Sequence, residues 1–485
     1  MGLVQFNQDL QDTVYAQLKS APSGLFGLEV QFYSTSNPNA NDIVSPKYIK
    51  NLAIFQDYRN HVTDVMTITM DLTPLEFIHL YTMYEDLTCK ITAFAFSEAW
   101  KALELYPAWE FTYKALILGM EDILKQININ EIMPTENNPI GDSTQSVTLP
   151  IAFQLVSEDV YEHIKSSVNF TIKNATIKQL IYAVANTIGI DNVYMPVEPD
   201  NTQVYPQLTI PPVQNLATVY PEIQKTYGIY RDGLGYYYAN GRLYLYPAYR
   251  VNPENDYSPI ANFYKIPDKE LSGLYGYTSM DVNGNLHVVS NLPVSMKDTA
   301  AESVENVGNH IVTLNTDKVL DLNRTVHGGN NNSSFEEDNL IHLTMDGVRG
   351  NTKNMSVFKY VKGTNNAYEM SSNLMEQNFT QIEITWNNPL PYTLRPGQQV
   401  IYHYEDDLGY KTKKGILVGV SYVYTVATRN DQGYIYGGVG KAVLRLASDS
   451  EELVSDNEGN STSQSGGSIF DTITDISMNA LKNLF

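Results

Sequence analysis

The chain has 485 residues, of which 43% are hydrophobic, and its 54 acidic and 32 basic residues give a formal net charge of −22. Because a single hydrophobic core stops growing at roughly 250 to 300 residues, this length predicts three or four domains. The negative charge disfavours direct nucleic-acid binding, since most of the surface would repel phosphate. No apolar run approaches the roughly 18 to 20 residues that a membrane-spanning helix needs.

The first residues and the cysteine content bear on the cellular compartment. Met1 to Asp9 contain neither a basic region nor a sustained apolar stretch, so we expect no secretory signal. The single cysteine, Cys89, excludes disulfides within the chain and a cysteine-based zinc cluster. Both features are typical of a protein made in a reducing cytoplasm.

Residues 1–150 are predicted to form a small β-barrel with one packed helix. Apolar and polar residues alternate with period two from Met66 to Leu72, which indicates a half-buried strand. Thr73 to Glu76 then form a capping box with proline at the first helical position. A second strand follows from Leu87 to Phe94, and we expect a strand-to-helix transition near Ala115. A polar connector over Pro134–Ser146 closes this domain.

Strands with period two, such as Met66 to Leu72, would leave open edges in a small sheet. Edge pairing between subunits would cover them, so the pattern predicts a ring-forming oligomer, most simply a trimer.

Residues 151–250 are predicted to form a helix-hairpin module. A second capping box begins at Thr176, and its helix ends at Gly189. The next helix should begin between Leu216 and Tyr220, because Pro221 is tolerated only in the first turn, and Gly228 should be its C-cap. Asn240-Gly241 predicts a type I′ turn in a hairpin from Tyr236 to Tyr246.

The rest of the chain is predicted to comprise four segments. Residues 251–380 are an irregular β-rich region, with a hairpin at Asn283-Gly284 and a Gly- and Asn-rich loop from His327 to Ser334. Residues 381–446 form a second β-barrel-like domain, residues 447–467 an acidic disordered linker, and residues 468–485 an amphipathic C-terminal helix. The candidate partner-docking residues of this helix are Ile469, Phe470, Ile473, Ile476, Leu481, Leu484 and Phe485. The fold class is therefore α+β, mainly β, with two tube-like barrels around an intervening α+β module.

No residue pattern predicts a catalytic, cofactor-binding or metal-binding site. Cys89 has apolar neighbours of the same strand period and is interpreted as a buried structural thiol. No histidine pair has the spacing of a zinc site, and His403 is interpreted as a strand residue. Calcium-like loops at Asp281 and Asp456 lack the glutamate at position twelve, and adjacent acids such as Glu336-Glu337 are ordinary solvated charge.

The 35 tyrosines are the compositional outlier. Tyrosine offers a large rigid contact area with a polar tip and is favoured at protein interfaces and in carbohydrate sites. Contacts with neighbouring proteins are the favoured interpretation, and sugar binding is the alternative.

The order of elements from Leu155 to Arg250 resembles the middle of bacteriophage tail and baseplate hub proteins. It comprises a leader, a short helix, a Pro-Pro spacer at Pro211-Pro212, a helix ending in Tyr227-Gly228-Ile229-Tyr230, and a tyrosine-rich hairpin. The strand, helix, strand order around Thr73 is similar to that of tail-tube subunits. The resemblance covers about residues 40 to 450 and implies a structural virion protein without enzymatic activity.

The family resemblance also implies how such a protein assembles. It implies a homotrimeric hub that joins the tail tube to the spike or tip within the baseplate. The resemblance further implies that DNA passes through the channel of the hub without specific binding, and that neither a membrane nor a cofactor is involved. The location is the virion tail, after synthesis in the bacterial host cytoplasm.

A secreted or surface β-protein that binds glycans or peptides through its tyrosines is the alternative. The missing signal peptide and the single cysteine disfavour it. An enzyme ranks third, because no group of residues builds a catalytic site.

Overall fold

The computed structural model describes a mainly β protein. The described residues are 24–36, 48–59, 61–97, 102–104, 108–120, 123, 148–251, 260–266, 277–280, 285–290, 292–297, 368, 372, 379–406, 409–431, 433–447 and 452–453. Several predicted features lie outside them: the connector at 134–146, the hairpin turn at 283–284, the loop at 327–334, most of the linker at 447–467 and the whole C-terminal helix at 468–485.

The elements fall into three groups along the chain. The first group contains β1 (Phe26–Ser34), β2 (Ile49–Asp57), β3 (Val65–Leu72), α1 (Pro74–Thr82), a 3-10 turn (Tyr84–Asp86), β4 (Leu87–Ser97), β5 (Ala102–Leu103), β6 (Trp109–Ile117) and β7 (Leu149–Val156). The second contains α2 (Glu158–Lys165), β8 (Val168–Ala175), α3 (Ile177–Ile188), β9 (Val193–Tyr194), β10 (Tyr205–Gln214), α4 (Val219–Thr226), β11 (Leu234–Ala239) and β12 (Arg242–Pro247). The third contains β13 (Ala261–Lys265), β14 (Thr278–Met280), β15 (Leu286–Ser290), β16 (Ser295–Lys297), β17 (Phe379–Asn387), β18 (Gln399–Asp406), β19 (Gly409–Asn430), β20 (Gly433–Ala447) and β21 (Glu452–Leu453).

Eight strands close into a β-barrel. Their order is β2-β3-β7-β6-β4-β1-β20-β19, and β19 pairs back onto β2. Six of these strands come from the first group, but closure requires the hairpin β19–β20 from the far end of the chain. The barrel predicted for residues 1–150 is therefore completed by residues beyond 408, and the predicted boundary at 150 lies inside β7.

The barrel interior is a packed apolar core. Phe32 and Phe153 lie across it with ring centroids 4.7 Å apart, and both are fully buried. Cys89 is also buried there, which raises the pKa of its thiol and agrees with a structural role. The interior is thus filled by side chains.

The strand over Val65–Leu72 shows the expected alternation of buried and partly exposed residues. However, β3 pairs with β2 on one side and with β7 on the other. The expectation that this strand leaves an open edge for subunit pairing is wrong, because barrel closure satisfies both of its edges.

A second sheet shares the hairpin β19–β20 with the barrel. β20 also pairs with β17, and β19 also pairs with β18, which lies beside the parallel strands β13 and β15. The half of the hairpin nearer its turn belongs to the barrel, and the other half belongs to this second sheet. The β-domain predicted over 381–446 is therefore built with strands from 261–290 as well and is continuous with the barrel.

The predicted strand-to-helix transition near Ala115 lies a few residues later, because β6 continues through Ala115 to Ile117 and the first helical residue is Met120. Ala115 is buried and pairs with Leu155 of β7. Tertiary pairing therefore decides the conformation of a segment whose local pattern fits both helix and strand.

The middle module follows its local signals closely. Thr176 caps α3 through a capping box with Gln179, and Gly189 ends the helix in the left-handed conformation with φ of 92°. α4 begins at Val219, so Pro221 lies in its first turn as predicted. The C-cap residue is Tyr227 rather than Gly228, which follows it with φ of 80°. Asn240 and Gly241 both have positive φ, as a type I′ turn requires.

Replacing Thr176 by Ala is expected to lower the free energy of unfolding by about 1 kcal/mol, because the Thr176 side chain accepts a hydrogen bond from the Gln179 backbone N–H. Thr187→Ala is the matched control, since Thr187 on the same helix only donates to the Ala183 carbonyl. Urea denaturation measures both variants, and equal losses would contradict the assigned capping role.

Among the described residues, no helix has the length and apolar content needed to span a membrane.

Candidate functional site

The best-defined polar site lies where the barrel meets the middle module. We call it the tyrosine junction and define it by Tyr58, Asp64, Tyr237, Tyr244 and Tyr246. The Tyr58 ring, just after β2, stacks on Tyr237 of β11 with centroids 4.1 Å apart, and Tyr237 stacks on Tyr244 of β12 at 4.5 Å. These contacts bind the module's hairpin to the end of the barrel.

A backbone hydrogen bond fixes the same contact. The Tyr238 N–H donates to the Val62 carbonyl at 2.7 Å, which ties β11 to the loop before β3. Because Tyr237 and Tyr238 are neighbours on a strand, one side chain faces the stack and the other faces α2. Tyr238 contacts His163 of α2 edge to face at 5.1 Å.

Asp64 is the partly buried carboxylate of the junction. It accepts hydrogen bonds from the Tyr58 hydroxyl and from Gln56 Nε2. Burial raises the pKa of Asp64 to about 6, although these two hydrogen bonds lower it in part. Burial and the nearby Asp64 charge also raise the pKa of Tyr58, so its hydroxyl remains a donor.

Asp159 is a second carboxylate near the junction, in the first turn of α2. It accepts from the Tyr238 hydroxyl at 2.8 Å and from Ser157 Oγ at 2.5 Å. Burial alone would raise the pKa of Asp159, but the hydrogen bonds from Ser157 and Tyr238 lower it overall. The two carboxylates therefore favour opposite protonation states.

Asp64 and Asp159 line one cleft of about 110 Å³. Tyr113 of β6 and Tyr392 also line it, with their hydroxyl oxygens 3.1 Å apart. The cleft opens at the end of the barrel beside the tip of the module's hairpin. Its chemistry is that of hydrogen-bond donors and acceptors which fix two domains relative to each other. Within the described part of the chain, no three His, Cys, Asp or Glu side chains are grouped to hold a metal ion.

Arg250 provides a second tie between the module and the sheets. Its guanidinium donates to Asp232 at 2.5 Å and to Asp200 at 2.6 Å, and the Arg250 carbonyl accepts from Gln399 Nε2 of β18 at 3.2 Å. The paired carboxylates outweigh burial and raise the pKa of Arg250. The module therefore contacts both the barrel and the second sheet.

Many tyrosines are buried within the chain rather than available to neighbouring proteins. Buried examples are Tyr58, Tyr220, Tyr230, Tyr237, Tyr238, Tyr422, Tyr424 and Tyr436. For these residues the predicted contact with other proteins is replaced by contact within the chain. Tyr84, Tyr182 and Tyr194 remain exposed.

The other predicted site residues have different outcomes. The docking residues Ile469, Phe470, Ile473, Ile476, Leu481, Leu484 and Phe485 lie outside the described residues. His403 is a buried residue of β18, and its Nε2 lies 3.0 Å from Asn262 Oδ1. Burial and the neighbouring His287 lower the pKa of His403 to about 3.

Sequence reasoning did not find Asp64. Asp64 is the last residue of the loop between β2 and β3, and it belongs to no residue pattern that indicates a site. Tyr113, Tyr237 and Tyr392, which are distant in sequence, lie near enough for the Asp64 charge to contribute to their raised pKa values.

The fold and the junction define a mainly β protein with a closed barrel, a second sheet that shares one long hairpin with it, and an α+β module fixed to both. The family described as Bacteriophage PBS1 gene 109 protein matches residues 23–366, and the chain belongs to this family. The predicted resemblance to bacteriophage tail and baseplate proteins is confirmed.

Several solved structures are similar at low sequence identity. The tail protein from Neisseria meningitidis MC58 is 10% identical with a TM-score of 0.43, over 86% of this chain and 96% of that chain. The 43 kDa tail protein of prophage MuSo2 from Shewanella oneidensis is 9% identical with a TM-score of 0.37, over 86% and 97%. The Francisella PdpA-VgrG complex, lidded, is 9% identical with a TM-score of 0.38, over 91% and 55%. No curated protein sequence matches the chain.

Proposed function

We propose that this protein is a structural component of a phage tail, the central hub that joins the tail tube to the spike or tip and surrounds the DNA channel. The observation that carries the proposal is the pair of β-structures built on one hairpin, β19–β20, in a member of a phage protein family. A shared hairpin holds two ring-forming units at a fixed spacing. Three copies would then present six such units to a sixfold tube.

The filled barrel interior bears on where DNA passes. Because side chains such as Phe32 and Phe153 pack inside the barrel, the channel lies between copies of the chain and not through one barrel. The net charge of −22 favours a channel surface that DNA slides past without binding. A lumen lined mainly by Lys and Arg would contradict this part of the proposal.

The proposed partners are the tail tube, the spike or tip and other baseplate proteins, and the proposed location is the virion tail after synthesis in the host cytoplasm. The function needs no catalytic chemistry, cofactor or membrane.

Electron microscopy of the purified full-length protein tests the proposal. We expect threefold rings with a central hole and a mass by light scattering of about three chains. Mass spectrometry of purified phage particles should find the protein in the tail fraction. A monomer both alone and with tail proteins, or absence from the particles, would refute it.

The C-terminal residues are proposed to dock on a neighbouring tail component. Their apolar stripe includes Ile469, Ile473 and Leu484, and a peptide of this length needs a surface to remain helical. Deleting residues 460–485 is expected to leave a folded oligomer but to weaken attachment of that component, as measured by co-sedimentation with tail proteins. Unchanged attachment, or a truncated chain that does not fold, would contradict docking.

A further inference from the structure

The two-stranded sheet of the middle module has one protected edge and one open edge. β8 and β10 pair with each other, and within the described residues neither strand pairs with a third. Unpaired strand edges are templates for pairing with another chain, and proteins usually protect them.

The free edge of β10 is protected in two ways. The Tyr227 hydroxyl accepts from the Thr209 N–H at 2.9 Å and donates to the Thr209 carbonyl at 3.1 Å, so one side chain occupies both backbone groups. In addition, Pro206, Pro211 and Pro212 have no backbone N–H to offer.

The same contact fixes the orientation of β8. Thr209 is the register partner of Thr171, and its backbone groups are directed at Tyr227, away from β8. Thr171 and Thr209 therefore form a non-hydrogen-bonded pair, and the Thr171 N–H and carbonyl also point away from the sheet. Since orientation alternates along a strand, the backbone groups of Asn169 and Lys173 face the open edge too. No described residue pairs with these groups.

The side chains of β8 are compatible with an added strand. Asn169, Thr171 and Lys173 are exposed, while Phe170 and Ile172 are partly buried against the apolar core of the module. An incoming strand with apolar residues at every second position would extend this apolar face beside Phe170 and Ile172. Lys173 has no ion-pair partner among the described residues, so an acidic residue opposite it would be favourable.

We propose that the open edge of β8 binds an extended segment of a different tail protein by β-strand addition. The segment alternates apolar and polar residues and carries an acidic residue opposite Lys173. This inference rests on the proposed function, because the partner is taken to be a component of the same tail.

A second copy of this chain is a poorer occupant. Antiparallel pairing of two β8 edges is twofold, so it would join two copies of a trimer and leave the third edge open. A different protein can instead occupy all three edges equivalently.

Hydrogen exchange measured at residue resolution tests the inference. In the purified full-length protein, the amides of Asn169, Thr171 and Lys173 should exchange rapidly, whereas the Phe170 and Ile172 amides are held by the β10 ladder. In purified phage particles, we expect the three edge amides to exchange at least about 100-fold more slowly than in the purified protein. Unchanged exchange in particles that contain the protein would overturn the inference but leave the proposed function intact.

Other outcomes identify other occupants. Protection already present in the purified protein would overturn the inference, because a second copy or another segment of the chain would then cover the edge. Absence of the protein from the particles would refute the proposed function, and this inference with it.

A pair of variants supplies an independent readout. Thr171→Pro removes an edge N–H that makes no bond within the described fold, and Thr171→Val is the matched control that keeps it. Both variants should retain wild-type unfolding profiles. Phage carrying Thr171→Pro should incorporate the candidate partner at least about tenfold less well than phage carrying Thr171→Val. Equal incorporation by the two variants would contradict strand addition.

Discussion

Replacing Trp386 by Ala is expected to lower the free energy of unfolding by about 3 to 5 kcal/mol, the largest effect anticipated for any single side chain here. Trp386 is only 1% exposed and contacts Phe263 and Tyr422 edge to face. Its register partner is Gly440 of β20, where an added Cβ would lie 2.6 Å from the indole ring. The ring therefore lies directly over the shared hairpin, and its removal leaves a cavity.

Val439→Ala is the control, because Val439 is the neighbour of Gly440 and is 45% exposed. We expect it to change the free energy of unfolding by less than about 0.5 kcal/mol in urea denaturation. Since β20 pairs with both β17 and β1, Trp386→Ala should also speed hydrogen exchange in β1 of the barrel. A loss confined to the second sheet would show that the shared hairpin does not couple the two structures.

The parts of the fold that were predictable from the sequence are those specified by neighbouring residues. The capping boxes at Thr73 and Thr176, the proline in the first turn of α4 and the Asn240-Gly241 turn all depend on neighbouring residues. Each signal is complete within a few positions of the chain. The structure agrees with them for that reason.

Long-range pairing was not predictable in the same way. Phe26 of β1 pairs with Tyr436, and Ala53 of β2 pairs with Val423, across most of the chain length. An alternating pattern specifies that a strand has one buried face, but it does not specify its neighbours. The sequence therefore indicated two separate barrels where one hairpin serves both.

The tyrosine junction was not predictable either, because its contacts also join residues that are distant in sequence. The tyrosine content predicted contacts with neighbouring proteins, but Tyr237 and Tyr238 of the hairpin from Tyr236 to Tyr246 are buried in contacts within the chain. Asp64 lines one cleft with Tyr113 and Tyr392, which are distant in sequence, and burial there raises its pKa. Burial by residues distant in sequence leaves no local signal to read.

Asp64→Asn is expected to stabilise the protein at neutral and alkaline pH. The pKa of Asp64 is raised from 3.8 to about 6 by burial, so the folded protein holds this proton more tightly than the unfolded chain. The stability contributed by that proton is fully present below pH 3.8 and is lost as the pH rises through about 6. The two-unit difference in pKa lowers the free energy of unfolding of the wild type by about 3 kcal/mol at about pH 8, where Asp64 is ionised. A neutral side chain removes this loss.

The local contacts accommodate the substitution. An amide oxygen at this position can still accept from the Tyr58 hydroxyl. The new amide N–H would face Gln56 Nε2, which donates to Asp64, but a 180° rotation of the Gln56 amide brings its Oε1, buried without a hydrogen-bond partner in the described structure, into position to accept. The variant therefore retains hydrogen bonding while removing the partly buried charge.

Asp159→Asn is the matched control on the same cleft and should have the opposite sign. Hydrogen bonds from Ser157 and Tyr238 outweigh burial and lower the pKa of Asp159, so its charge contributes stability above its ordinary pKa, and this is lost as the pH falls through the lowered value. Urea denaturation at about pH 4, 6 and 8 separates the two variants. Asp64→Asn should gain stability with rising pH relative to the wild type, while Asp159→Asn should lose it. If both variants destabilise the protein at about pH 8, Asp64 is needed there as a carboxylate, and its burial carries no net penalty at the junction.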